Sequence, residues 1–154
     1  MNLSAHFTLA ELCKSETASR LSIDNTPDET EVDALTYLAN SVLEPIRFSY
    51  DIPYSPSSGF RSPELNQTIG GATGSQHCAG EAADIEIPGV SNLALAWWIR
   101  SHIDYDQLIL EYYNLNEPSS GWVHISVVNS AEGKNNRHET LVYDGDSYSQ
   151  GLPG

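Results

Sequence analysis

The chain is organised around the ten residues Ser75-Gln76-His77-Cys78-Ala79-Gly80-Glu81-Ala82-Ala83-Asp84. This stretch places a histidine and an aspartate seven residues apart, with small residues between them. Gly80 permits a sharp turn after His77 because it carries no Cβ, and residues 82–87 have the apolar pattern of a buried strand. Imidazole nitrogen and carboxylate oxygen are both zinc ligands. The spacing is therefore compatible with half of a zinc site, or with a polar loop that carries one exposed histidine.

Size and charge limit the class of protein. A chain of 154 residues fits one domain with a core large enough to fold unaided. The formal net charge of −14 disfavours nucleic acid, which needs clustered Lys and Arg, and it also repels anionic membranes. No stretch approaches the roughly 20 apolar residues of a membrane-spanning helix. We expect a single domain over residues 1–154, a monomer, with no nucleic-acid or membrane partner.

The two ends of the chain and its cysteines bear on localisation, disorder and disulfide bonding. Residues 1–11 lack the basic segment and apolar run of a signal peptide, which predicts a cytoplasmic protein. Residues 145–154 predict a disordered tail. Two cysteines, Cys13 and Cys78, exclude a disulfide scaffold but leave a single bridge between them open. Cys78 is better explained as a buried thiol than as a ligand beside His77.

Capping residues predict where the helices begin. Thr8 with Glu11 forms a capping box, and Thr26 followed by proline marks a stronger start. Apolar residues at helical spacing follow from Val32 to Ile46, and Pro45 should kink or restart that helix. Two more helices are predicted from Ser62 and from Ser91.

Strands are predicted in the second half of the chain. Residues 105–111 and 122–128 are apolar runs separated by a polar loop, which indicates an antiparallel hairpin. We expect this hairpin to pair with the strand at 82–87. Residues 57–61 predict a short strand, and residues 140–143 a last edge strand.

His124 is the best third ligand among the five histidines. A catalytic zinc needs three protein ligands and an open position for water. His124 lies in the middle of a predicted strand with apolar neighbours. The alternative interpretation is that His124 is a hydrogen-bonded core histidine and binds no metal. The remaining histidines lie at a helix end or in polar surroundings, and we do not expect them to bind metal: His6, His102 and His138. The predicted ligand set is His77, Asp84 and His124.

A carboxylate must take the proton from the water that attacks the substrate. Glu111 is the first candidate, because a hairpin that turns near Glu117 places Glu111 opposite Trp122 and close to His124. Glu117 and Asp106 remain alternatives. The alternative interpretation is that Glu111 is an exposed acid at the end of a strand.

Arg61 ends the short strand predicted at residues 57–61. A guanidinium beside a metal binds a substrate carboxylate or stabilises a developing oxyanion. The alternative for Arg61 is an ion pair at the surface.

These residues together resemble the zinc peptidases of peptidoglycan that include D-Ala-D-Ala carboxypeptidases and phage L-alanyl-D-glutamate endolysins. Hedgehog signalling domains share the fold of that family. The resemblance spans roughly Phe7 to Ser126 and is closest to the branch that phages and prophages often encode. The Ser-x-His-x-x-Gly-x-Ala-x-Asp element is its most specific single mark. The segments that carry it are Phe7–Leu12, Ile23–Pro27, Ser58–Ser62, residues 75–84, Asp106–Glu111 and Trp122–Ser126.

The resemblance implies an α+β fold in which helices pack on an antiparallel sheet that holds zinc. The implied zinc ligands are His77, Asp84 and His124. Arg61 matches the arginine that supports the substrate beside the metal, and Ser75 matches a serine that lines the site. Trp122 is a further candidate for contact with the substrate.

One departure from the family pattern bears on catalysis. Many relatives carry the catalytic glutamate three residues before the last histidine ligand, or a second histidine two residues before it. Gly121 and Trp122 stand at these positions here. The general base must therefore come from elsewhere, such as Glu111. The alternative hypothesis is a catalytically inactive, zinc-stabilised binding module or phage structural module.

The implied substrate is the stem peptide of bacterial peptidoglycan, cut at either the D-Ala-D-Ala or the L-Ala-D-Glu bond. A phage endolysin without an export signal would accumulate in the host cytoplasm. It would reach the cell wall after release through a membrane lesion.

Overall fold

The computed structural model describes all 154 residues and has a five-stranded sheet at its centre. The strand order across the sheet is β1-β3-β2-β4-β5. The α+β class expected from the sequence is confirmed. The strands are β1 (Ala82–Ile85), β2 (Gln107–Glu111), β3 (Trp122–Ser126), β4 (Glu139–Tyr143) and β5 (Tyr148–Gln150).

The sheet is mixed, whereas the sequence predicted an antiparallel one. β3 pairs antiparallel with β1 and with β2, which confirms the hairpin, but β4 pairs with β2 in parallel. Both edges of β3 are taken, and residues 57–58 hydrogen-bond to Asp84 at the outer edge of β1, so the next strand joins the free edge of β2. β3 ends beside the start of β2, and β4 starts at that same end, with Gln107 opposite both Ser126 and Glu139. The short return therefore makes β4 run parallel to β2.

The end of the chain completes the sheet. β5 pairs antiparallel with β4, so β4 is an interior strand and not the edge strand predicted. Residues 145–154, expected to be a disordered tail, contain β5. The indole Nε1 of Trp97 also donates a 2.8 Å hydrogen bond to the carbonyl of Pro153.

The two faces of the sheet have different roles. Strand residues on one face belong to a core cluster of 23 buried side chains that the helices share. Side chains on the other face surround a cavity. The helices are α1 (Leu9–Cys13), α2 (Glu16–Leu21), α3 (Glu29–Leu38), α4 (Glu44–Tyr50), α5 (Pro63–Thr68) and α6 (Asn92–His102). None of them is both long and apolar enough to cross a lipid bilayer.

Most of the helix starts lie where the capping residues predicted them. Thr8 and Glu11 form the capping box of α1, and Ser62 and Ser91 cap α5 and α6. A π-helical segment, residues 39–43, joins α3 to α4 and ends two residues before Pro45. Because proline lacks an N–H and crowds the preceding turn, the wider π turn accommodates it.

The start of α3 lies two residues beyond the prediction. Thr26 binds the side chain of Asp24 through both its N–H and its hydroxyl. Asp28 is the N-cap instead, and it forms a capping box with Glu31. Thr26, which was expected to cap the helix, is therefore held in a local turn by Asp24 and is not the N-cap.

Candidate metal centre

Three buried side chains converge at the base of the open sheet face: His77, Asp84 and His124. Their candidate ligand atoms all lie within 4.8 Å of one another. Oδ1 of Asp84 is 3.3 Å from Nε2 of His77 and 3.2 Å from Nδ1 of His124. The sequence prediction that these three residues meet at one point agrees with this geometry.

Strand pairing brings two of the three together. Asp84 of β1 lies directly opposite His124 of β3 in the antiparallel ladder. Directly paired residues point to the same face of a sheet. The carboxylate and the imidazole are therefore neighbours because of strand register alone.

His77 comes from a 3₁₀ turn, residues 76–79, that packs beside β1. Gly80 ends this turn with φ of +73°, and a Cβ there would lie 2.6 Å from the carbonyl oxygen of Glu31 in α3. Nδ1 of His77 donates a 2.7 Å hydrogen bond to the carbonyl of Gly59. That bond leaves the lone pair of Nε2 free to face the cluster, as metal-binding histidines require.

The electrostatics of Asp84 keep it ionised. Burial alone would raise the pKa of this carboxyl, but the neighbouring imidazoles of His124 and His77 outweigh burial and hold the pKa well below its usual range. The second oxygen, Oδ2, is 3.3 Å from NH2 of Arg61. A buried carboxylate of this kind is ready to bind a cation without first losing a proton.

Arg61 is not a surface ion pair, because its side chain is only 15 % exposed. Besides Asp84, it donates from Nε to Oγ of Ser58 at 3.0 Å and from NH1 to Oδ1 of Asn66 at 3.3 Å. The expected strand around Arg61 is reduced to one bridge between Ser58 and Asp84. Three of the five guanidinium N–H groups are thus engaged, and two have no hydrogen-bond partner in the protein.

Glu111 stands at the end of β2, opposite Trp122 as predicted. Burial, followed by the charge of Asp84, raises the pKa of Glu111. The buried indole N–H of Trp122 has no hydrogen-bond partner in the protein. Glu111 is therefore a partly buried acid beside the cluster and not an exposed strand end.

The two alternative bases lie elsewhere. Asp106 receives hydrogen bonds from the backbone N, Nε and NH2 of Arg137, at 3.0, 3.0 and 2.8 Å. Glu117 is exposed in the loop between β2 and β3. Neither one lines the cavity above the metal ligands.

That cavity has a volume of about 320 Å³ and is open to solvent. Ser75 lines it and also accepts a 3.2 Å hydrogen bond from the backbone N–H of His77, so it caps the 3₁₀ turn. Trp122 lines the cavity as well. Every residue predicted for the site is among its walls: Arg61, Ser75, His77, Asp84, Glu111, Trp122 and His124.

Several residues of the site escaped the sequence analysis. Asn66 is buried, accepts from Arg61 and donates to the carbonyl of Ala72 at 2.9 Å, so it ties the arginine to the loop before Ser75. Asn25 binds the carbonyl of Phe60 and the N–H of Ser62, on either side of Arg61. Asn25 lies in the segment Ile23–Pro27, but its partners Phe60 and Ser62 are more than 30 residues away, so its role could not be predicted from neighbouring residues. The cavity walls also include Gln76, Gln107, Arg137 and Tyr148.

The other histidines and the two cysteines are not part of the cluster, and Cys78, predicted to be a buried thiol, is only partly buried. His6 contacts Glu44, and His138 contacts Asp104. His102 stacks on Trp98. The two cysteines are free, and burial is the main cause that raises the pKa of both thiols, to about 11 for Cys13.

The sequence matches the Peptidase M15 family over residues 5–126. The chain belongs to this family. Peptidases of the M15 family depend on zinc, and the donor set found here, two imidazole nitrogens and one carboxylate oxygen, suits zinc with a position left for water. No curated protein matches the chain.

Proposed function

We propose that this M15 family member is a zinc-dependent peptidase that hydrolyses the stem peptides of bacterial peptidoglycan, acting as a monomer. The observation that carries the proposal is the convergence of His77, Asp84 and His124 at the base of a cavity that Glu111 and Arg61 also line. A phage endolysin, released from the host cytoplasm to the cell wall, is the role that we favour for such an enzyme.

In the proposed reaction, three residues bind the metal and a fourth acts as the general base. His77, Asp84 and His124 would hold zinc, which supplies a Lewis acid and lowers the pKa of water. Glu111 takes a proton from the attacking water and returns it to the leaving amine. The raised pKa of Glu111 makes its carboxylate a stronger base than an exposed glutamate.

We assign two roles to Arg61, one toward Asp84 and one toward the substrate. It holds Oδ2 of Asp84, and its two remaining N–H groups are available to the cavity. Guanidinium binds carboxylate in a planar, bidentate manner. Arg61 would therefore bind a carboxylate of the stem peptide or stabilise the oxyanion that forms during attack. Ser75 and Trp122 would contact the same peptide.

The decisive experiment is digestion of purified muropeptides followed by mass measurement of the products. We expect cleavage by protein that contains about one zinc per chain and loss of cleavage on chelation. The product masses distinguish cutting at D-Ala-D-Ala from cutting at L-Ala-D-Glu. The double variant His77→Ala, His124→Ala should lose zinc and activity, while the matched double variant His102→Ala, His138→Ala keeps both.

The second candidate is a zinc-stabilised binding or phage structural module without turnover. Gly121 and Trp122, which stand where many relatives carry catalytic groups, favour it. A zinc-loaded protein that leaves every muropeptide intact would support this candidate and contradict the peptidase.

A further inference from the structure

An exposed group of aromatic side chains adjoins the cavity on the side of Glu111. The ring centroids of Tyr112 and Trp122 are 5.1 Å apart, those of Tyr112 and Tyr143 are 5.5 Å apart, and Tyr143 stacks on Tyr148 at 4.4 Å. We call these four residues, Tyr112, Trp122, Tyr143 and Tyr148, the aromatic platform.

Strand register builds the aromatic platform around the candidate base. Trp122, Glu111, Tyr143 and Tyr148 are direct partners across β3, β2, β4 and β5, so they form one row on the metal-binding face of the sheet. The row next to it contains Asp84 and His124. The aromatic rings are therefore the wall of the site beyond Glu111.

Tyr112 joins this row through an unusual backbone conformation. As the residue after Glu111, it would point to the opposite face if the strand continued its alternation. Its φ is +56°, a left-handed value that costs a non-glycine residue free energy. The ring nevertheless contacts both Trp122 and Tyr143. Strain of this kind is found disproportionately at functional sites.

The aromatic platform is open to solvent and continuous with the cavity. Tyr112 is 47 % exposed and Tyr148 is 59 % exposed. Trp122 and Tyr148 also line the cavity that holds the metal ligands. Burial and then the charge of Glu111 raise the pKa of Tyr148, in keeping with a phenol near that carboxylate. Contiguous exposed apolar surface beside a site marks a binding surface.

We propose that the aromatic platform binds a sugar ring of the glycan strand to which the stem peptide is attached. This inference rests on the proposed function and names a second part of its substrate. A pyranose ring has apolar C–H faces, which suit the electron-rich faces of aromatic rings, and hydroxyl groups at its edge, which suit the three phenols. The sugar would lie close to the scissile bond, which favours cleavage near the glycan, at L-Ala-D-Glu.

The test compares one stem peptide in two forms, with and without its N-acetylglucosaminyl-N-acetylmuramyl disaccharide. We expect the wild-type kcat/KM to be higher for the form with the disaccharide. In Tyr148→Ala the ratio of the two kcat/KM values should fall about 3- to 10-fold, the usual scale for one aromatic contact. Tyr148→Phe, which keeps the ring, should retain the preference. Phe48→Ala, a change at an aromatic residue that is 89 % exposed on α4, is the matched control.

A binding measurement separates this inference from the proposed peptidase activity. The disaccharide without peptide should shift NMR signals of the aromatic platform in wild-type protein, and Tyr148→Ala should weaken that binding. Equal kcat/KM for both substrates, or no loss of disaccharide binding in Tyr148→Ala, overturns the sugar subsite. So does a concentration-dependent dimer that Tyr148→Ala abolishes, because the platform would then bind a second copy of the chain. If neither peptide is cleaved but the disaccharide binds, the peptidase proposal fails and the sugar site stands.

Discussion

The orientation of His77 depends on one backbone carbonyl. Gly59 accepts the hydrogen bond of Nδ1 across 18 residues of sequence and so directs Nε2 to Asp84. A hydrogen bond to the ring nitrogen that does not face the metal fixes the tautomer of a metal-binding histidine. The sequence predicted His77 as a candidate ligand, but it could not predict the group that orients the imidazole ring.

The role of Glu111 can be tested at the same scale. Glu111→Gln keeps the size of the side chain and removes its basicity, so kcat should fall roughly 10²- to 10⁴-fold. Zinc content should not change, because Glu111 is outside the ligand cluster. Kinetics on a defined muropeptide and metal analysis measure both effects.

Glu117→Gln is the control for Glu111→Gln, because Glu117 is exposed in the loop after β2. It should keep the wild-type kcat. An unchanged kcat in Glu111→Gln would contradict the assignment of Glu111 as the base.

At the scale of elements, the site depends on how closely the 3₁₀ turn at residues 76–79 approaches α3. Gly80 combines a positive φ with a backbone contact that leaves no room for a Cβ. Gly80→Ala should therefore lower the free energy of unfolding by about 2 kcal/mol or more, from left-handed strain and steric displacement. Urea unfolding measures this change.

Gly89→Ala is the matched control. Gly89 has a φ of +79°, but nothing lies within 4 Å of the position that its Cβ would take. Only the conformational cost of about 1 kcal/mol should appear there. If both variants lost the same stability, the contact with α3 would not be what requires glycine at position 80.

Asp106 joins the start of β2 to the segment before β4. Hydrogen bonds from Arg137 are the main cause that lowers the pKa of Asp106 below its usual value. A lowered folded-state pKa means that the pair stabilises the protein above the unfolded pKa of about 3.9, and that this contribution is lost as pH falls through the folded value. The Arg137 side chain is 57 % exposed, so the contribution at neutral pH should be about 1 kcal/mol.

Asp106→Asn should consequently be less stable than wild type at pH 7, and the difference should shrink below about pH 4. Chemical unfolding at a series of pH values measures it. Asp51→Asn, which changes a side chain that is 95 % exposed, should differ little from wild type at any pH. A difference for Asp106→Asn that stayed constant down to pH 2 would contradict the assignment of the ion pair.

At the scale of the whole molecule, the hydrophobic core and the candidate metal centre lie on opposite faces of the sheet. The core cluster of 23 buried residues includes none of the three candidate ligands. We therefore expect the protein to stay folded without metal, and zinc to add stability only through binding.

Zinc should raise the Tm of the wild-type protein. Free zinc at 100 times its Kd adds about 2.7 kcal/mol, which corresponds to roughly 5–11 °C in a domain of this size. Differential scanning calorimetry with and without zinc measures the shift. The double variant His77→Ala, His124→Ala should show none, and an equal shift in that variant would place the stabilising metal elsewhere.

The sequence alone determined the parts of this protein that depend on neighbouring residues. Capping side chains set the starts of α1, α5 and α6, and Pro45 marks the π segment, because these interactions span only a few residues. The hairpin of β2 and β3 was predictable from apolar runs and a polar loop, and with it the pair of Glu111 and Trp122.

Only the tertiary structure decided the contacts between distant parts of the chain. The parallel position of β4 follows from which strand edge was still free, and the bond of Arg61 to Asp84 joins residues 23 positions apart. Tyr112 enters the aromatic platform through a left-handed turn that no periodicity encodes. Packing selects such contacts from many that the sequence permits, since side-chain period fixes a face of a strand but not the partner that covers it.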